Sequence, residues 1–127
     1  MAKDWWQKGK AFDLWSIPHF LFGILMGFVP VLVDSISFGF ALVLTLVLAV
    51  LWELFEIGVG IRETVLNSLL DVFLPVAAYI ITSYVLLLQP YHSEDIGVIS
   101  IAVLILYLFT NISGWLAYRR RSRDFTY

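Results

Sequence analysis

Four long runs with little charge decide what this chain can fold into. They cover residues 15–33, 38–57, 65–88 and 96–117. Each is close to the ~20 residues that an α-helix needs to cross a hydrocarbon core of ~30 Å. None shows the period-two alternation of a membrane strand, and all are too long for one. Hydrophobic residues make up 61% of the chain and charged residues 14%, against about 45–50% and about 25% in soluble domains. The expected fold is therefore an all-α membrane protein, a single domain over residues 1–127 with four transmembrane helices in an antiparallel bundle. Short connections impose that topology: Asp34 to Ser37, Gly58 to Thr64, and Gln89 to Asp95 with Pro90. Gly58 and Gly60 loosen the second of them.

Several classes drop out at once. A formal net charge of −2 excludes a strongly basic nucleic-acid binder. Without cysteine there is no disulfide, thiolate ligand or thiol nucleophile. The N-terminal dozen residues are polar, carry Trp5 and Trp6, and lead into no small-residue cleavage site. The first apolar run is thus expected to stay as a helix rather than be cleaved as a signal.

Charge sets the orientation. Lys3, Lys8 and Lys10 precede the first run, Arg62 lies between the second and third, and Arg119, Arg120, Arg121 and Arg123 follow the fourth. The other two loops have no Lys or Arg. The positive-inside rule then puts both termini and the middle loop in the cytoplasm, with the chain in the cytoplasmic (inner) membrane. Trp5, Trp6, Trp15, Trp52, Trp115 and Tyr118 fall near that face, as an aromatic belt does. Residues from Lys3 to Leu14 read either as a short interfacial amphipathic helix or as a solvated tail anchored by its tryptophans.

With this orientation the polar residues gather at one depth, in the inner half of the bilayer. His19 opens the first helix, Glu53 and Glu56 close the second, Asn67 and Asp71 open the third, and Asn111 and Ser113 end the fourth. The outer half reads as almost wholly aliphatic and aromatic. Faces agree with depth: Glu53 and Glu56 are three apart, Asn67 and Asp71 four apart, so each pair shares a helix face. His19, Gly23 and Gly27 recur every fourth residue, a small-xxx-small spacing that admits a close neighbour and would bring a carboxylate helix to His19. Pro75 has no N–H for the carbonyl of Asp71.

A carboxylate at the middle of a bilayer costs about 2.5–3.5 kcal/mol on insertion scales. Such groups need partners, protonation, water or a bound cation. His19, Glu53, Glu56, Asn67 and Asp71 are the candidate ligand residues, with Arg62, Glu63 and Asn111 in support. A divalent cation is the cofactor they suit, with His19, Glu53 and Asp71 as its metal ligands. Oxygen ligation favours Mg²⁺ or Mn²⁺, and the histidine also admits Zn²⁺. Against this stands interhelical glue, worth about 0.6–2 kcal/mol per group. In that reading Glu56 snorkels or pairs with Arg62, and Arg62-Glu63 is a solvated turn. His92, beside Glu94 and Asp95, reads as part of a wet loop.

Asp13 and His19 around the start of the first helix, the Trp52-Glu53-Leu54-Phe55-Glu56 end of the second, and Asn67 with Asp71 opening the third together resemble the VanZ-like small membrane proteins. Arg62 and Asn67-Ser68 are also similar to a related family of uncharacterised bacterial inner-membrane proteins. The resemblance covers residues 13–78. It departs in a longer Asp13-to-His19 spacing and in lacking a second arginine between Glu56 and Glu63. It implies glycopeptide-antibiotic tolerance through an envelope or lipid-linked step, and it supplies no catalytic residues.

Three functions follow from these residues. In the first, a cytoplasm-side polar pocket uses a divalent cation to bind or process a lipid headgroup or lipid-linked phosphate. The second is a non-enzymatic accessory subunit that packs against other membrane-protein subunits. The third, an ion or proton carrier, needs polar residues in the outer half that the sequence does not offer. Whether the chain is an enzyme is left open.

Overall fold

The computed structural model describes residues 14–61, 64–88 and 93–124. Its elements are α1 (Ser16–Leu32), α2 (Phe38–Gly58), α3 (Val65–Leu88) and α4 (Ser93–Asp124), with no strand among the described residues. Local chemistry accounts for the ends. Ser37 caps α2, its Oγ accepting from the Phe40 N–H at 3.1 Å. Thr64 caps α3 in the same way: its Oγ1 accepts from the Asn67 N–H at 3.1 Å, and its carbonyl accepts from the Ser68 N–H at 3.0 Å. Each cap satisfies an amide that the first turn leaves open.

α2 ends in a Schellman motif. The Ile61 N–H reaches the Glu56 carbonyl at 2.9 Å and the Gly60 N–H reaches Ile57 at 3.1 Å. The motif needs a left-handed residue after the cap, and Gly60 supplies it with φ +84°. The turn glycine is therefore Gly60; Gly58 is the last residue of α2.

Two helices differ from the expected lengths. α1 has 17 residues, about 26 Å at ~1.5 Å per residue, because Val33 is already extended and Asp34-Ser35 turn the chain. α4 begins before its apolar run and continues past it through Arg119 and Arg120. Glu94 and Asp95 in its first turn and the basic residues toward its other end suit the helix dipole. Three helices, α2, α3 and the Glu94–Arg120 part of α4, are long and apolar enough to cross a membrane, while α1 falls just short.

Side-chain contacts fix the chain directions. His19 meets Asp71, Gly23 lies on Pro75 and Ala78, and Gly27 lies on Thr82, so α1 and α3 run parallel. Glu53 meets His19 and the Tyr79 hydroxyl donates to the Phe38 carbonyl at 2.7 Å, so α2 runs against both. Trp15 covers Gly114 and the Phe22 and Tyr107 rings lie 6.2 Å apart, so α4 opposes α1. α1 is the central helix: it touches all three others, most extensively α3, and among the described residues α4 packs closely on α1 alone.

The interior mixes polar with apolar side chains where a soluble protein's is mostly oily. Thr45, Asn67, Asp71 and Tyr79 are completely buried, while Phe40, Val43, Leu69, Phe73, Leu87 and Phe109 are exposed. Apolar surface on this scale is tolerated in lipid and aggregates in water, the pattern of a membrane protein.

Candidate functional site

The cap and glycine devices above bring three helices to one point. Thr64 starts α3 so that Asp71 comes two turns in, on the face that Pro75 continues. Gly23 has no side chain to hold α1 away from that face. A Cβ at Gly23 would overlap the Pro75 carbonyl oxygen and lie 2.7 Å from the Ala78 Cβ. His19 is one turn before Gly23 on the same face of α1, and so lands beside Asp71. Glu53 comes from α2, one turn before the Schellman end.

The result is a compact, buried cluster. His19 Nε2 lies 3.7 Å from Glu53 Oε1, and His19 Nδ1 lies 3.8 Å from Asp71 Oδ1. One ligand atom from each of His19, Glu53 and Asp71 falls within 4.8 Å of the other two, and all three residues are buried. Asp71 is wholly shielded, Glu53 is 6% exposed and His19 9%. Two atoms bound to one ion at ~2.0–2.6 Å lie at most ~4.0–5.2 Å apart. The cluster thus fits a larger divalent ion as it stands, and a smaller one once its ligand atoms close in slightly.

The setting of the His19 ring adds a second observation. His19 Nδ1 sits 2.5 Å from the Trp15 carbonyl, an oxygen that can only accept. Nδ1 therefore carries the proton, and in the neutral ring Nε2 presents a lone pair. Nε2 is buried and has no hydrogen-bond partner among the described residues. A metal-bound histidine is ordinarily held this way, with its other ring N–H donated to a carbonyl or carboxylate. A cation would satisfy the lone pair and offset both carboxylates at once.

The other expected residues are sorted by the fold. Asn67 is completely buried one turn before Asp71 on the same face. Glu56 does not snorkel: it is 2% exposed and accepts from the Trp52 indole N–H at 2.9 Å, one turn away on its own helix. It stands outside the three-residue cluster. Asn111 donates to the Tyr107 carbonyl at 2.8 Å and shares a cavity wall with His19. Trp15 is not a belt residue but is buried against Gly114, because glycine leaves a flat on α4 that the indole fills. Arg62, Glu63, His92 and the N-terminal stretch from Lys3 through Asp13 lie outside the described residues.

Sequence reasoning missed two features. The half of the bundle away from His19 is not purely apolar: Thr45, Tyr79 and Ser83 are buried there. Thr45 donates to the Ala41 carbonyl at 2.7 Å, and Tyr79 to Phe38. The signal for it is a four-residue repeat along α3, Asn67, Asp71, Pro75, Tyr79 and Ser83. The second feature is a cavity of about 260 Å³ over α1, walled by α2 and α4. No family model, curated protein or solved structure matches the chain.

Proposed function

We propose that this chain is a four-span protein of the cytoplasmic membrane whose His19, Glu53 and Asp71 hold a divalent cation, and that the cation binds the anionic headgroup of a lipid or lipid-linked phosphate. The observation that carries this reading is the convergence of three buried ligand atoms within 4.8 Å. Buried carboxylates alone repel phosphate; a cation reverses the sign of the local field. Mg²⁺ or Mn²⁺ suits the two carboxylates, with coordination positions left for phosphate oxygens. The VanZ-like resemblance over residues 13–78 points the same way, toward an envelope or lipid-linked step. Elemental analysis and native mass spectrometry of protein purified in mild detergent test it: stoichiometric metal with a phosphorylated lipid is expected. Neither metal nor lipid, with copurifying protein subunits instead, would replace it by an accessory-subunit role.

The proposed topology has both termini and the loop around Arg62 in the cytoplasm. The distribution of the eight Lys and Arg residues supports it. Ser35→Cys is expected to react with an impermeant maleimide on intact cells, and Ser122→Cys only after lysis. The reverse pattern would invert the protein and put the cluster near the outer face.

A further inference from the structure

The cation reading does not use the cavity beside His19. α1 forms its floor, with Trp15, His19 and Phe22; Leu48 and Trp52 of α2 form one wall, and Tyr107 of α4 is on the other. Among the described residues no Cα of α2 lies within 8 Å of one of α4, which leaves room for the cleft between them. From Trp15 to Phe22 it runs about 10 Å at ~1.5 Å per residue. Its polar groups are His19, Asn111 and the Tyr107 hydroxyl, which meets the Asn111 side chain; the Phe22 and Tyr107 rings lie 6.2 Å apart across it.

Shape and lining select the occupant. An α-helix is ~10–12 Å across with its side chains, too thick for about 260 Å³. The volume is also below the ~300–1,000 Å³ of ordinary ligand pockets, so two acyl chains would crowd it. A mostly apolar slot in the gap between α2 and α4, with a buried histidine in its floor whose Nε2 has no hydrogen-bond partner among the described residues, fits a single hydrocarbon chain with a polar head.

We propose that the cleft between α2 and α4 holds one hydrocarbon chain of a single-chain phosphorylated lipid, which enters sideways from the bilayer and places its phosphate at the His19–Glu53–Asp71 cluster. This rests on the cation reading for the head and on the cleft alone for the chain.

The probe is a single-chain alkyl phosphate with a diazirine in its chain, photolysed with the full-length protein in neutral-lipid nanodiscs containing Mn²⁺. Label is expected on Leu48 or Trp52 of α2 and on Tyr107 of α4. Inorganic phosphate at equal concentration should not compete. Ala49→Phe narrows the cleft and should lower labelling about tenfold, within the range that overpacking costs, with bound metal unchanged. Leu48→Trp fills it from a position 38% exposed and should give the same loss without disturbing buried packing. Label spread over the outward face of α3 at Leu69 and Leu87, or undiminished in both variants, overturns the proposal. Equal labelling by the matching alcohol overturns it too, as bulk lipid only. An unlabelled cleft in which Leu48→Cys chains crosslink to one another would make the occupant a second copy. Chelation separates the two readings: cleft labelling that persists without metal keeps the chain site and sinks the cation, whereas bound metal with scattered label does the reverse.

Discussion

Gly23→Ala is expected to destabilise the protein by about 3 kcal/mol or more, beyond the usual 1–3 kcal/mol for overpacking. The added methyl would meet the Pro75 carbonyl oxygen and the Ala78 Cβ. A backbone carbonyl cannot rotate aside as a side chain can, so α1 and α3 must separate. The ~1 kcal/mol that alanine gains over glycine in a helix does not offset this. Gly27→Ala is the contrast. Its Cβ would lie 2.7 Å from Thr82 Cβ and Cγ2; a turn about χ1 moves Cγ2 but not Cβ, so the helices must still give a little, and a cost of about 1–3 kcal/mol, smaller than at Gly23, is expected. Thermal unfolding in one detergent measures both. Equal, small effects would mean that α1 and α3 do not meet closely at Gly23. Because Gly23 also seats His19 beside Asp71, its variant should lose metal binding together with stability.

The glycine spacing is legible in the sequence because small residues, not apolar ones, mark helix contacts in lipid. The same reason explains what is not legible. In a soluble helix the apolar stripe points inward; here the surroundings are at least as apolar as the core, and leucine or valine says nothing of direction. Polar residues on α1, α2 and α3 therefore reveal their inner faces, and His19, Glu53 and Asp71 can be placed at a common depth from orientation alone. α4 carries Gly97, Ser100, Asn111 and Gly114 on one face, which marks a contact but does not say that the contact is α1 or that α2 is left uncovered. The cleft cannot be foreseen for that reason. Trp15 is misleading because an indole near a helix start fits an interfacial belt as well as it fits a groove; only the facing Gly114 decides, and that pairing is tertiary. Glu56 and Trp52 are readable as neighbours four apart, but Arg62 offers a competing partner.

Asp71→Asn is expected to keep the fold and lose the cation. Mutating residues that merely support metal ligands costs about 10–100-fold in affinity, so loss of a ligand should cost more than about a hundredfold. The substitution removes a charge at nearly constant shape, and a charge in this setting is costly to bury. Without metal, the variant should therefore melt at or above the wild-type temperature. With metal, only the wild type should gain, by about 2.7 kcal/mol at a hundred times the dissociation constant. Interhelical glue predicts another pattern: asparagine still hydrogen-bonds, and metal stabilises neither protein.

The most direct measurement is electron spin-echo spectroscopy of Mn²⁺ added to the purified protein, which detects nitrogen bonded to the metal. Wild-type protein is expected to bind one Mn²⁺ and to show ¹⁴N modulation from the His19 imidazole. His19→Gln should lose the modulation, and Asp71→Asn should lose the ion. Mn²⁺ that keeps the spectrum of the free aqua ion in the presence of wild-type protein, or binds without nitrogen coupling, would contradict a cation held by His19, Glu53 and Asp71.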